Sequence, residues 1–380
     1  MGGSKAEANG HSLPERMKAQ IIRAYSQPYE LTELELPQIS SDNDILIRVE
    51  AAGYCHSDET LAAGNRPSEP KKFPHIGGHE LAGTVAALPS SPSAAAKAFS
   101  IGTRIGSPGR GFASCGKCFE CKSLSSAQPN YSFFCPTTLS NGFSKDGGFA
   151  EYAVVDARQC VPLPDNLSAV EAAPLMCAGI TIYQAIKRCN LVAGQHIAII
   201  GCGGGLGHLG LQFADAMGLK VIGIDVADGP IKLANSLGTK ARIVDARSTP
   251  AETIVDEIAK EDGRSEIDRA DTGADAVVIL PESQRSFDYA MNIVRNHGQL
   301  VVVSLPVKGF VINPEDYVYR DIRIHGTILG TDATLKEMME FVGKHNVKPV
   351  TKTYSLEQLN DVVEAHHSGD GGKLVIDLLQ

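Results

Sequence analysis

The stretch His196-Ile197-Ala198-Ile199-Ile200-Gly201-Cys202-Gly203-Gly204-Gly205-Leu206-Gly207 decides the fold. A short apolar run of strand length meets a glycine-rich turn, and Leu206 to Met217 then carries helical periodicity. Strand, glycine turn and helix form the order that a dinucleotide pyrophosphate needs. Glycines let the backbone approach phosphate closely, and the helix start offers free N–H groups and a favourable dipole. The spacing reads Gly201-x-x-Gly204-x-x-Gly207, one residue longer than the strict G-x-G-x-x-G, with Gly205 and Leu206 inside the turn. The next apolar strand, Lys220 to Asp225, ends on an acid. A carboxylate there meets the adenosine ribose hydroxyls and repels a 2′-phosphate, so the pattern favours NAD over NADP.

The same rhythm continues downstream. Strands at Ala241 to Val244, Ala274 to Leu280 and Gly298 to Ser304 alternate with helical patterns at Pro230 to Leu237, Ala251 to Lys260 and Ser283 to Arg295. Such alternation implies a parallel sheet covered on both faces. Upstream the chain is mostly β. Ala19 to Ala24, Asp44 to Ala52 and Leu81 to Leu88 are apolar or β-branched runs punctuated by Pro, Gly and Ser, and Pro89 to Ala98 reads as a surface loop. Ser168 with Glu171 forms a capping box that opens a helical stretch, which Pro174 and Gly179 interrupt. Phe310 to Gln380 is mixed, with a strand at Lys373 to Leu378. Met1 to Arg16 is small and polar without periodicity, and is expected to be a disordered tail.

At 380 residues the chain has the length of about two domains. A net charge of −9 provides no basic face for a polyanion, which argues against nucleic acid or an anionic membrane as partner and for a small molecule. Nine cysteines, an odd number with no secretory signal ahead of them, read as reduced thiols and metal ligands in a cytoplasmic setting. No transmembrane span is apparent. Met1-Gly2-Gly3-Ser4-Lys5-Ala6 matches an acylation signal only partly, because Ala6 stands where Ser or Thr is wanted.

The cysteines fall into two groups. Cys115, Cys118 and Cys121 sit at two-residue spacing with Cys135 further on, the pattern of a closed structural zinc site. Cys55, His79, Glu80 and Cys177 are far apart in sequence. That is how a catalytic zinc gathers its ligands while leaving one position open.

Gly53-Tyr54-Cys55-His56-Ser57-Asp58, Gly77-Gly78-His79-Glu80, Asp146-Gly147-Gly148-Phe149-Ala150-Glu151-Tyr152 and Pro174-Leu175-Met176-Cys177-Ala178-Gly179 resemble the zinc-dependent medium-chain alcohol dehydrogenases, the yeast and bacterial branch most closely. The resemblance runs from about Met17 to the C-terminus. It implies an α/β protein with a GroES-like, mostly β catalytic domain at 17–176 and 307–380, including a structural zinc lobe at 115–135. A doubly wound Rossmann NAD-binding domain would occupy 177–306, with the chemistry in the cleft between the two. It further implies a catalytic Zn²⁺ on Cys55, His79 and Cys177, with Glu80 adjacent and able to take the open position. Asp58 would orient His79, Ser57 would accept the substrate proton, and His56 and Lys373 would reach the coenzyme phosphates. Relatives are homodimers or homotetramers, and the substrate would be a small alcohol or aldehyde.

Four features depart from the family. Thr60 stands where many relatives carry a relay histidine, so the proton would leave Ser57 through Thr60, a ribose hydroxyl and water, or directly to solvent. The chain has no Trp, and Arg110 and Gly111 occupy the segment where a pocket-narrowing Trp is expected, which suggests a pocket wider or more polar than one for ethanol. The last gap of the cysteine cluster is thirteen residues rather than about seven, with the extra residues forming a loop through Ser126 to Tyr131. Pro230 replaces a Lys that contacts the adenosine. A polyol or secondary-alcohol dehydrogenase is the nearest alternative within enzymes. A zinc-bearing interaction module built on the Cys115 to Cys135 lobe is the alternative from another class, and the acidic balance and glycine turn argue against it.

Overall fold

The computed structural model describes residues 7–8, 11–65, 69–70, 72–123, 132–264 and 271–380. It separates into two compact units. One comprises Met1–Cys177, Gly330–Ser368 and Lys373–Gln380, and the other Ala178–Leu329 with Gly369–Gly372.

The second unit follows from the β/α rhythm. Six parallel strands lie in the order Arg242–Asp245, Lys220–Asp225, His196–Ile200, Ala274–Ile279, Val294–Val302 and Arg323–Gly326. Numbered along the chain this is 3-2-1-4-5-6, a doubly wound sheet whose order reverses beside the first strand. All five residues of His196–Ile200 are buried, as expected for a central strand with helices on both faces. The helices Gly207–Ala216, Asp228–Ser236, Ala251–Glu261 and Gln284–Ile293 alternate with the strands. Ile254, Ile258, Phe287 and Ile293 fill one side of the sheet.

Arg323–Gly326 pairs in parallel with Val294–Val302 and so belongs to this unit. The chain therefore returns to the first unit at Gly330, later than the Val307 expected from sequence. A single four-residue strand carries too little periodicity to announce which sheet it joins. Residues 369–372 also belong here, and the Gly372 N–H donates to the Gly203 carbonyl at 3.1 Å.

In the first unit a seven-stranded sheet is built around the long strand Asp44–Tyr54, which pairs antiparallel with Glu80–Ala87, Tyr152–Asp156 and Lys373–Asp377. Its alternate residues Ile45, Ile47 and Val49 enter a core with Leu81, Val85, Phe149 and Ile376. The Ser168 and Glu171 side chains form the expected reciprocal cap on Ala169–Ala172. Pro174 falls in a tight turn, Ala173–Met176, as its missing N–H favours. Gly179 does not interrupt the next helix. It lies in the first turn of Ala178–Arg188, and the break comes instead at Cys177, whose backbone is neither helical nor extended (φ −131°, ψ −65°).

Part of the expected disordered tail is ordered. Glu7–Ala8 pairs antiparallel with His11–Ser12, and a seven-residue strand starts at Arg16. Residues 1–6 and 9–10 lie outside the described residues, as do 126–131, where the extra loop of the cysteine lobe was placed. Among the described residues no single helix is long and apolar enough to cross a membrane.

Candidate metal centres and cofactor turn

Strand Asp44–Tyr54 ends immediately before Cys55, and helix His56–Ala62 begins immediately after it. The Asp58 carboxylate, three residues into this turn, accepts from the Cys55 N–H at 3.0 Å. This is the reciprocal contact of a capping box, with a cysteine in the place of the usual serine. The other oxygen of Asp58 accepts from the Gly78 N–H at 3.2 Å and from His79 Nδ1 at 2.9 Å. Asp58 is fully buried, and its carboxylate is satisfied by Cys55, Gly78 and His79, which ties the two candidate ligands together.

Cys55, His79, Glu80 and Cys177 are brought together, their ligand atoms within 4.8 Å of one another. His79 is 2 % exposed and its Nε2 has no hydrogen-bond partner. An unsatisfied buried nitrogen costs about 1–3 kcal/mol. With Nδ1 committed to Asp58, Nε2 presents a lone pair among two sulfurs, the environment that Zn²⁺ fits. A hydrogen bond from Cys177 is the main influence holding the Cys55 thiol well below its ordinary value, and it raises Cys177 in turn. Sulfurs close enough to share a proton are close enough to share a cation.

Glu80 is also fully buried, and the site geometry gives it a second role. Lys373 Nζ lies 2.8 Å from each Glu80 oxygen and donates to the Tyr54 carbonyl at 2.8 Å. Lys373 was expected at a coenzyme phosphate. Instead its ammonium is buried against Glu80, because two charges removed from water must pair. Burial raises the Glu80 carboxyl to about 7 against the opposing pull of Lys373. The signal for this contact was present at Gly53, where a Cβ would stand 1.9 Å from a Glu80 oxygen.

Cys115, Cys118, Cys121 and Cys135 also converge within 4.8 Å of one another, despite the thirteen-residue gap. The Cys118 N–H donates to Cys115 Sγ and the Cys115 N–H to Cys135 Sγ, each at 3.3 Å. Burial opposes ionisation of Cys135, but the Cys115 amide and Thr137 outweigh it and lower the thiol to about 6. Amide donors aimed at sulfur favour thiolate, the form that binds zinc. Asp156 anchors the lobe by accepting from the Ala113 N–H at 2.9 Å and pairing with Arg158, whose guanidinium reaches the Ser114 carbonyl at 3.1 Å. Cys135→Ser is expected to reduce bound zinc by about one ion per chain and lower the unfolding midpoint, as metal analysis and thermal denaturation would show.

In the second unit the glycine turn differs in detail from its sequence reading. A Cβ on Gly203 would meet the Pro230 carbonyl oxygen at 2.0 Å, and one on Gly207 the Gly201 carbonyl oxygen at 2.1 Å. On Gly204 the nearest atom is 3.4 Å away. The steric demand therefore falls on Gly201, Gly203 and Gly207, and Gly203 was overlooked because its partner Pro230 is distant in sequence. Pro230 takes its place in the turn packing, buried in helix Asp228–Ser236, where a Lys was expected to contact adenosine. Asp225 accepts from the Gly203 N–H at 3.1 Å and the Val226 N–H at 2.8 Å, which fixes its carboxylate at the strand end beside the turn. Gly205 and Leu206 complete the approach to helix Gly207–Ala216.

Ser57 lies in the first turn of helix His56–Ala62 beside Cys55. Thr60 Oγ1 donates to the Ser57 carbonyl at 3.0 Å, the usual back-bond of a helical threonine. In this arrangement the Thr60 hydroxyl donates to the helix backbone. His56 is exposed, with Nδ1 2.9 Å from Glu59. Arg110 places its guanidinium over the Phe143 ring at 5.0 Å, and Phe143 lies 4.7 Å from the His79 ring. Phe143 was not singled out from sequence.

The first unit, with a cluster of sulfurs around a buried imidazole, and the second, with its glycine turn and acid, define a zinc-binding dehydrogenase. Residues 41–165 match the family model for the alcohol dehydrogenase GroES-like domain, and residues 205–344 match that for zinc-binding dehydrogenase. An alcohol dehydrogenase of Geobacillus stearothermophilus is 34 % identical over 363 residues, covering 95 % of this chain and 99 % of the relative. One from Moraxella sp. is 30 % identical with the same coverage. Among solved structures, an alcohol dehydrogenase of Aeropyrum pernix superposes with a TM-score of 0.80 at 26 % identity, covering 95 % of this chain and 99 % of that one. An acetophenone reductase of Geotrichum candidum, solved in complex with NAD, gives 0.78 at 25 %, covering 96 % and 98 %. The chain belongs to the zinc-dependent medium-chain alcohol dehydrogenase family, and it is an alcohol oxidoreductase.

Proposed function

We propose that this enzyme interconverts an alcohol larger or more polar than ethanol and its aldehyde or ketone, using NAD and two zinc ions. The buried, unpartnered His79 Nε2 facing Cys55 and Cys177 carries this reading. Cys55, His79 and Cys177 would hold the catalytic zinc, and Cys115, Cys118, Cys121 and Cys135 the structural one. When bound, the zinc would polarise the substrate oxygen and the nicotinamide would exchange the hydride. Asp58 holds the His79 ring and its tautomer. Ser57 accepts the proton of the alcohol and releases it towards solvent rather than through Thr60. His56 reaches the coenzyme phosphates, and the turn from Gly201 to Gly207 accommodates them. Lys373 acts through Glu80, holding that carboxylate beside the ligands. Metal analysis is the direct test: two zinc per chain is expected, and fewer than one would refute the reading.

Asp225 supports NAD as the coenzyme, because its fixed carboxylate opposes a 2′-phosphate. Like charges brought together cost several kcal/mol, so Asp225→Ser is expected to raise the NADP-to-NAD ratio of kcat/KM roughly ten- to hundredfold. An unchanged ratio would remove Asp225 as the determinant.

Arg110 supports the larger or more polar substrate. Its half-buried guanidinium, layered on Phe143 beside His79, offers a cation where an indole would narrow the approach. In a graded series of alcohols and aldehydes, kcat/KM for ethanol is expected to fall at least about tenfold below that of the best larger substrate, and Arg110→Trp to shrink the difference. Ethanol as the best substrate would sink the idea.

A homodimer or homotetramer is supported by the edge strand Arg323–Gly326 and by exposed Val307, Val311, Val318 and Tyr319 in the same unit. The nine unbridged cysteines support a reducing, cytoplasmic location.

A further inference from the structure

A second cluster of metal-ligating side chains lies outside both cysteine sites. Helix His56–Ala62 presents His56 and Glu59 one turn apart, and helix Leu359–Ser368 of the same unit brings His366 and His367 to them. One Glu59 oxygen is 2.9 Å from His56 Nδ1 and 3.5 Å from His366 Nε2. Its other oxygen is 2.6 Å from His367 Nε2. The ligand atoms of His56, Glu59 and His366 all lie within 4.8 Å of one another. Bonds of about 2.0–2.1 Å to one tetrahedral ion would set neighbouring ligand atoms roughly 3.3 Å apart, a value that the two measured separations bracket.

The rings are also held in place. His366 meets Tyr54 edge to face at 5.3 Å and lies 6.0 Å from the His56 ring at 30°. His367 occupies the carboxylate oxygen that His56 and His366 leave, which orients Glu59 as an outer partner orients a metal-bound carboxylate. Two imidazoles and a carboxylate form a borderline donor set suited to Zn²⁺ or Ni²⁺ and poorly suited to Mg²⁺ or Ca²⁺.

We propose that His56, Glu59 and His366 form a third, surface site for a borderline divalent transition metal, oriented by His367. The consequence for activity rests on the reading of His56 as a coenzyme contact: an ion there competes with the coenzyme for that histidine, so excess metal inhibits reversibly.

The test uses the untagged holoenzyme retaining its two zinc ions, dialysed to equilibrium against micromolar Ni²⁺. One nickel per chain is expected in the wild type and none in His366→Gln, with His367→Gln binding roughly tenfold more weakly. Equal unfolding midpoints without nickel establish that the variants fold. Nickel absent from the wild type, or bound equally by His366→Gln, would overturn the site. Nickel should raise the KM for NADH in the wild type and leave it unchanged in His366→Gln. Equal inhibition of both would overturn the competitive consequence. Because the nickel count does not depend on turnover, failure of the dehydrogenase reading would appear separately, as loss of alcohol oxidation with the count intact.

Discussion

His79→Ala is expected to remove one zinc per chain and to lower kcat/KM by about three orders of magnitude or more. His79 is the one imidazole among the candidate ligands, it is buried, and its Nε2 has no hydrogen-bond partner. Without it, two sulfurs and Glu80 remain, and Glu80 is already paired with Lys373. A metal acting as Lewis acid contributes several kcal/mol to the barrier, and each 1.4 kcal/mol is tenfold in rate. Asp58→Asn should fall between this variant and the wild type. It keeps the shape but weakens the acceptor that holds His79 Nδ1, at a cost of roughly 10- to 100-fold in zinc affinity or activity. Zinc content and steady-state kinetics on the same preparations check both. Two zinc ions and near-normal turnover in His79→Ala would exclude His79 as a ligand.

Lys373→Met is expected to destabilise the protein by about 3–5 kcal/mol, because it leaves the Glu80 carboxylate buried without its cation. The loss also frees the Tyr54 carbonyl, which accepts from the same ammonium. Glu80→Gln combined with Lys373→Met should recover much of the stability, since two buried neutral groups carry no unpaired charge. A coupling energy near zero in this double-mutant cycle, measured by denaturant unfolding, would show that the pair is structurally idle. A solvent-exposed lysine would instead give a change within about 0.5 kcal/mol for Lys373→Met.

The parts of this protein legible in its sequence were those encoded by local pattern. Helix and strand periods over 196–302 are the imprint of burial on one chain segment, and the run from His196 through the glycines to Asp225 carries its own grammar of turn and helix start. The cysteine spacing at 115, 118 and 121 likewise reads locally, because three thiols separated by two residues can face one ion. The short strands and their assignment to sheets were less legible. Arg323–Gly326 joins the parallel sheet through pairing with Val294–Val302, a relation that no four-residue pattern contains.

What only the tertiary structure decided is which groups meet across long separations. Cys55, His79 and Cys177 suggested a metal site from residue type and family resemblance, but their convergence depends on the strand ends and the turn that Asp58 ties together. Lys373, near the chain end, was expected to reach a coenzyme phosphate. The pairing of Lys373–Asp377 with Asp44–Tyr54 carries it into the interior, where desolvation commits it to Glu80. The Thr60 hydroxyl donates to a carbonyl that its own helix supplies one turn back, a contact set by the fold. Sequence alone determined the chemistry on offer: thiols, imidazoles, carboxylates and a glycine turn. Tertiary structure decided the partners, because the free energies of buried charge and of unsatisfied hydrogen bonds depend on neighbours that chain order does not specify.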